Sequence, residues 1–180
     1  MPRYVALLRA INVGGHTVKM DALSAYFREL GFTSVETFIA SGNVIFASPT
    51  TDEAILTGRI ERCLREALGY EVATFLRSVP EVVDIAAYDP YPGEPLPPAG
   101  AMNIGFLAKV PDAGSSLQPL ETEIDRLHFH GREIYWRCLV RQSHSKVSGA
   151  SIERAIGARL TMRGISTVQR LAAKYGNTPN

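Results

Sequence analysis

At 180 residues the chain is long for one small domain and short for two ordinary ones. Its 46% hydrophobic and 21% charged residues are those of a globular protein; a chain of this size hides roughly 70% of its unfolded surface, which excludes a need for a metal or disulfide scaffold. The formal net charge of +1 conceals a polarity: residues 1–131 hold 10 Lys/Arg against 16 Asp/Glu, whereas residues 132–180 hold 9 against only Glu133 and Glu153.

Residues 3–10 carry apolar side chains on both faces, Val5 and Leu7 on one and Tyr4, Ala6 and Leu8 on the other, the pattern of a central strand covered on both sides. The strand runs into Arg9-Ala10-Ile11-Asn12-Val13-Gly14-Gly15, a polar loop with paired glycines. Leu23, Tyr26, Phe27 and Leu30 then recur at helical spacing, with Gly31 as the stop. Residues 34–40 and 44–48 predict a hairpin about Ser41-Gly42-Asn43, because Gly42 and Asn43 are types that accept left-handed backbone. Thr50-x-x-Glu53 reads as a capping box opening a helix through Ile55, Leu56, Ile60, Leu64 and Leu68, which Gly69 closes. Residues 71–77 follow as a fourth strand.

Ser78-x-x-Glu81 caps a short helix that ends at Asp89-Pro90. Five of the eleven prolines fall in residues 89–100, the composition of a stiff surface connector. Beyond it the patterns predict a strand over 101–109, a helix over 116–125 (Leu117, Leu120, Ile124) and a hairpin over 126–140 turning at Gly131-Arg132. A helix over 147–157 follows, and in place of a closing strand a helix at about 167–175. The order β-α-β-β-α-β and its near repeat define an α+β fold of two ferredoxin-like halves, residues 1–88 and residues 101–180, the second with an extra C-terminal helix. Since the strands of the first half are apolar on both faces, the second half is expected to cover the face its helices leave bare, giving one body.

The opening residues enter a strand without the apolar run and cleavage site of a signal peptide, and no apolar run approaches the ~18 residues of a membrane helix. Cys63 and Cys138 show no CxxC spacing. A soluble, cytoplasmic protein with no membrane partner is therefore expected.

For chemistry, Asn12-Val13-Gly14-Gly15 between a strand and a helix lacks the third glycine of GxGxxG and the Lys-Ser/Thr of a phosphate loop. It reads either as a turn whose glycines take positive φ, or as a small anion-binding corner of Asn12, the Gly14 and Gly15 amides and Arg9, with His16 and Lys19 nearby. On the predicted hairpin, His128 and His130 fall on one face with Glu133 and Tyr135; the set has the ligand types for Zn²⁺ and equally the make-up of a solvent-facing surface. Ser143-His144-Ser145 has no nucleophile-elbow context, and no acid–base carboxylate pair is readable. No catalytic residue, metal ligand or cofactor is assigned. The strand residues Gly42-Asn43-Val44-Ile45-Phe46 do not match an aromatic RNA-binding sheet, so the basic C-terminal third alone supports nucleic acid as a partner.

Leu8-Arg9-Ala10-Ile11-Asn12-Val13-Gly14-Gly15, then Met20 and Leu23, then Ser41-Gly42-Asn43-Val44-Ile45-Phe46, resemble the N-terminal signature of a bacterial family known as domain of unknown function 1697. The likeness continues in Ser145-Lys146, Thr161-Met162-Arg163 and Thr167-Val168, where Gly164-Ile165-Ser166 stands in place of the family's Asn-Trp-Asn. The resemblance implies two ferredoxin-like halves and no activity. Taken with the shared polar character of these segments, it points to a pocket for a small anionic or phosphorylated ligand. Arg9, Lys146 and Arg163 would neutralise charge there, Gly14 and Gly15 would offer amides, and Asn12, Asn43, Thr161 and Thr167 would orient the ligand. The alternatives are a nucleic-acid-binding module using the basic end and an interaction protein without a ligand.

Overall fold

The computed structural model describes residues 1–12, 14–39 and 42–177; Val13, Ala40 and Ser41, singled out above in the first loop and the hairpin, lie outside the described residues. The chain divides into two compact units, Met1–Val83 together with the chain from Leu171 onward, and Asp84–Arg170, so the proline-rich segment belongs to the second. Each unit is built on a four-stranded antiparallel sheet, and the described residues hold five α-helices.

In the first unit β1 (Arg3–Leu8), β2 (Thr33–Thr37), β3 (Asn43–Ala47) and β4 (Thr74–Ser78) are ordered β2-β3-β1-β4. Helix α1 (Met20–Glu29) joins β1 to β2 and α2 (Glu53–Leu68) joins β3 to β4. As the alternation predicts, Tyr4, Ala6 and Leu8 share a core with Val44, Phe46 and Leu76, closed by Leu23 and Phe27 of α1 and Leu56, Ile60 and Leu64 of α2. Phe46 stacks on Phe32 at 4.4 Å and meets Phe27 at 5.5 Å between centroids. The cap of α2 differs from the expected box at Thr50: Asp52 accepts from the N–H groups of Ala54 and Ile55 at 2.9 and 3.0 Å. A carboxylate directly before the first turn reaches two orphan donors, while the Thr50 N–H donates backwards to Ser48 Oγ. The Ser78/Glu81 box does form, with Ser78 N–H and Oγ–H both donating to Glu81 Oε2 at 2.7 Å. It opens α3 (Val79–Ala87).

In the second unit β5 (Ala101–Leu107), β6 (Asp125–His130), β7 (Glu133–Cys138) and β8 (Leu160–Gly164) are ordered β6-β7-β5-β8. Two expectations are corrected here. The helix over 116–125 is only a single 3-10 turn, Gln118–Leu120, because Thr122 Oγ1 accepts the N–H groups of Ile124 and Asp125 at 3.2 and 3.0 Å and so turns the chain into β6. A closing strand, β8, is present, and α5 (Ile165–Tyr175) starts directly from it. Leu160 and Met162 of β8 turn to the core of Leu107, Leu127, Ile134, Trp136 and Ile152, and Thr161 and Arg163 to the opposite face. Helix α4 (Gly149–Ile156) covers that core from a Ser148/Ser151 capping box.

A buried carboxylate organises this core. Asp125, 1% exposed, accepts Trp136 Nε1–H at 2.9 Å, Ser145 Oγ–H at 2.7 Å and Thr122 Oγ1–H at 2.9 Å. Burial pushes its carboxyl upward, but the hydrogen bonds from Trp136, Ser145 and Thr122 outweigh it and hold the group below its ordinary value. Ser145 is thereby a structural hydroxyl, also accepting Val147 N–H at 2.9 Å. Asp125→Ala orphans three donors and is expected to cost about 3 kcal/mol, lowering Tm by roughly 6–12 °C. A group with a depressed folded pKa stabilises above its unfolded value and loses that contribution as pH falls through the folded one. The stability gap between wild type and Asp125→Asn should therefore be constant above about pH 5 and close below roughly pH 4, read from denaturant midpoints across pH.

Candidate functional site

The loop after β1 is closed by backbone and side-chain hydrogen bonds at fixed points. Where the apolar run ends, Leu8 N–H donates to Gly42 O at 2.8 Å and Arg9 N–H to Ala73 O at 2.9 Å. Ala10 takes φ +56° to turn the chain outward. Ile11 folds back, 2% exposed, and its carbonyl accepts Tyr70 Oη–H at 3.0 Å. Asn12 Oδ1 accepts Val18 N–H at 2.8 Å, spanning the outer part of the loop. Between these anchors Gly14 and Gly15 are exposed at φ +65° and +85°, with open space where a Cβ would stand. The His16 ring stacks on Tyr70 at 3.9 Å.

The Gly42-Asn43 turn packs on the base of this loop. A Cβ on Gly42 would lie 2.8 Å from Ile11 Cγ2 and 3.2 Å from Leu8 Cβ, and the residue sits at φ +78°. Asn43, wholly buried, donates through Nδ2 to Phe38 O at 2.9 Å while its carbonyl accepts Phe38 N–H at 2.9 Å. The two N-terminal pieces that stand out in the sequence are thus in contact, and both asparagines hold the backbone with one of their polar atoms.

The remaining residues singled out by sequence lie in the second unit. Lys146 is exposed, Thr161 and Arg163 are buried on β8, and Thr167 is half-buried in the first turn of α5. Arg163 Nη1 donates to Thr161 Oγ1 and to Met162 O, each at 2.8 Å, and burial pulls the guanidinium down to about 10. Arg77 of β4 was not singled out by sequence reasoning. It stands opposite Val5 as Arg163 stands opposite Ile104, is 1% exposed, and sends Nη1 to Leu76 O at 2.6 Å. Its only sequence signal is an arginine inside an otherwise apolar strand followed at once by a helix.

The polar hairpin face has the expected register, His128 opposite Tyr135 and His130 opposite Glu133. Glu133 and Tyr135 of this face are buried and His128 is half-buried, while His130 stays exposed at its edge. Among the described residues no group of three or more His, Cys, Asp or Glu is placed to hold a metal ion. Instead Tyr88 stacks on His130 at 3.7 Å, shares a 2.8 Å hydrogen bond with His128 Nε2, and Tyr135 Oη–H donates to Ile85 O at 2.8 Å. Further along, Arg137 pairs with Glu94 at 2.6 Å and donates to the carbonyls of Glu94 and Pro95. The end of α3 and the proline-rich segment cover a face whose composition alone reads as wet.

Residues 1–135 match the family described as protein of unknown function (DUF1697), and the chain belongs to that family. The match ends within β7, so the C-terminal likeness from Ser145 to Val168 lies beyond it. The chain is similar in structure to the conserved bacterial protein SP0830 from Streptococcus pneumoniae, at 23% identity and a TM-score of 0.74, over 98% of this chain and 99% of that one. That likeness is one of fold. No curated protein matches the chain.

The contact under Gly42 can be isolated against a second glycine. Gly69 has the same backbone, φ +80°, but nothing within 4 Å of a Cβ. Gly69→Ala is expected to lose only the conformational cost, about 1–2 kcal/mol, and Gly42→Ala about 2–4 kcal/mol, in thermal or denaturant unfolding.

Proposed function

We propose that the first unit binds a small anionic or phosphorylated ligand at the loop after β1. The observation that carries this reading is the pair of exposed, positive-φ glycines, Gly14 and Gly15, whose N–H groups take no hydrogen bond among the described residues. Successive free amides on a braced loop are a chemical match for an anion, and Arg9 and Lys19 add cationic charge on the same segment. Asn12 and Asn43 keep the loop in shape, so the ordering cost falls on folding and not on binding.

We infer further that both units are ferredoxin-like. The matching sheet orders support this, as do the two helical crossovers of the first unit; in the second, a 3-10 turn stands where the first crossover helix would be. A cytoplasmic setting is supported by two unpaired cysteines, Cys63 and Cys138, with thiols that burial pushes up and so keeps unreactive. Among the described residues no helix is long and apolar enough to cross a membrane.

Titration of orthophosphate and pyrophosphate into the full chain, followed by amide NMR, tests the anion reading. Saturable shifts at Gly14 and Gly15 are expected, with Arg9→Ala weakening binding about tenfold. No saturable shift at these amides, or an unchanged affinity in Arg9→Ala, overturns it. Binding to arbitrary DNA that weakens steeply with salt, with the loop amides unmoved, favours the nucleic-acid alternative.

A further inference from the structure

The second unit contains a pocket of about 350 Å³ between the proline-rich segment and the sheet, at the small end of ligand pockets. Its apolar lining includes Pro95, Leu96, Met102 and Ile165, and three tyrosines contribute rings: Tyr88, Tyr91 and Tyr135. The hydroxyls of Tyr88 and Tyr135 are engaged by His128 and Ile85 O. The hydroxyl of Tyr91 is not: it is sealed from solvent and has no hydrogen-bond partner. A buried phenol left so is destabilising, and each such group in a folded protein calls for a physical reason.

The guanidinium charges at the pocket are already matched. Glu94 pairs with Arg137 at 2.6 Å and with Arg126 at 3.1 Å, and Arg137 lies over the Tyr91 ring at 5.4 Å. Asp89, on the rim, accepts Tyr91 N–H at 2.9 Å and adds a second negative group. A charged ligand would have to compete with these pairs, whereas a neutral one need only fill the apolar space. Burial, then the Glu121 carboxylate, push the Tyr91 hydroxyl up to about 12 against the pull of Arg126 and Arg137, so it keeps its proton at any physiological pH.

The geometry points to a binding site for a small, uncharged, planar ring molecule bearing one hydrogen-bond acceptor, which accepts a hydrogen bond from the Tyr91 hydroxyl while its ring lies among Tyr91, Tyr135, Met102 and Leu96. This site is separate from the anion loop of the first unit, and neither reading depends on the other.

Quinoline, neutral at pH 7.5 and carrying one ring-nitrogen acceptor, is the probe. Titrated into the full chain, it is expected to give a saturable shift of the Met102 methyl resonance. Tyr91→Phe should weaken that binding about three- to tenfold. Gln169→Trp places bulk at the mouth from an exposed helix position, spares the core, and should abolish it. Quinoline-2-carboxylate should bind more weakly than quinoline. The inference is overturned by no saturable Met102 shift, by equal affinities in wild type and Tyr91→Phe, by binding that survives Gln169→Trp, or by the carboxylate proving the tighter ligand.

Discussion

Strand β1 is hydrogen-bonded along both edges and buried on both faces. Val5 stands opposite Ile45 on one side and Arg77 on the other, and no residue from Tyr4 to Leu8 is more than 5% exposed. A slip of one residue would carry Tyr4, Ala6 and Leu8 out of the core that α1 and α2 close, so the register has no near alternative. The point where the chain can leave the sheet is fixed in consequence. Leu8 and Arg9 spend their N–H groups on the two neighbouring strand ends, and everything beyond must be loop. The polar residues after β1 stand where they do because the apolar run before them cannot move.

That constraint makes the glycine at the β2–β3 turn intelligible. A turn that meets the base of the loop closely enough to accept the Leu8 N–H has no room for a side chain, and its backbone must also take positive φ. Gly42 satisfies both demands at once. The loop and the turn therefore form one sequence fingerprint across some thirty residues, a backbone contact that any shared ligand would be added to and is not needed to explain. The fingerprint identifies the fold of the first unit from its close packing, and the exposed Gly14 and Gly15 are the part of it that packing leaves unexplained.

Periodicity made β1, α1, α2 and the two hairpins legible, because each carries several apolar residues at one spacing with a glycine or turn to end it. Legibility failed where a local pattern had two solutions. Leu117, Leu120 and Ile124 have helical spacing, but the Thr122 hydroxyl captures the Ile124 and Asp125 N–H groups and Asp125 is drawn into a strand by Trp136 and Ser145. Thr50 and Asp52 are both good caps, and which one acts depends on the direction of the incoming chain. Strand β8 is short and holds a buried arginine, so its residues look like a polar segment until Thr161 and Met162 supply the partners. The polar hairpin face looked wet because its cover, Tyr88 to Pro95, comes from some forty residues upstream. Tyr91 carries no local signal at all; only the packing around it makes its hydroxyl conspicuous.

The two sheets place corresponding residues against their central strands, and the differences between them are governed by what fills the helix side. Phe46 stands opposite Tyr4 in the first sheet as Trp136 stands opposite Asn103 in the second. Over Phe46 lies α1, contributing Phe27. At the corresponding connection the second unit has only a 3-10 turn, and its core is built from Leu117, the larger indole and α4. An indole cannot be buried as cheaply as a phenyl ring, because its N–H needs an acceptor. Asp125 supplies it, and a buried carboxylate in turn needs donors, which Ser145 and Thr122 provide. The polar hub of the second unit thus follows from the choice of Trp136 at the position where the first unit has Phe46. The arginines on the opposite faces, Arg77 and Arg163, share the same register and the same bond to the preceding carbonyl, so the two units differ on the helix side and agree in this feature of the other face.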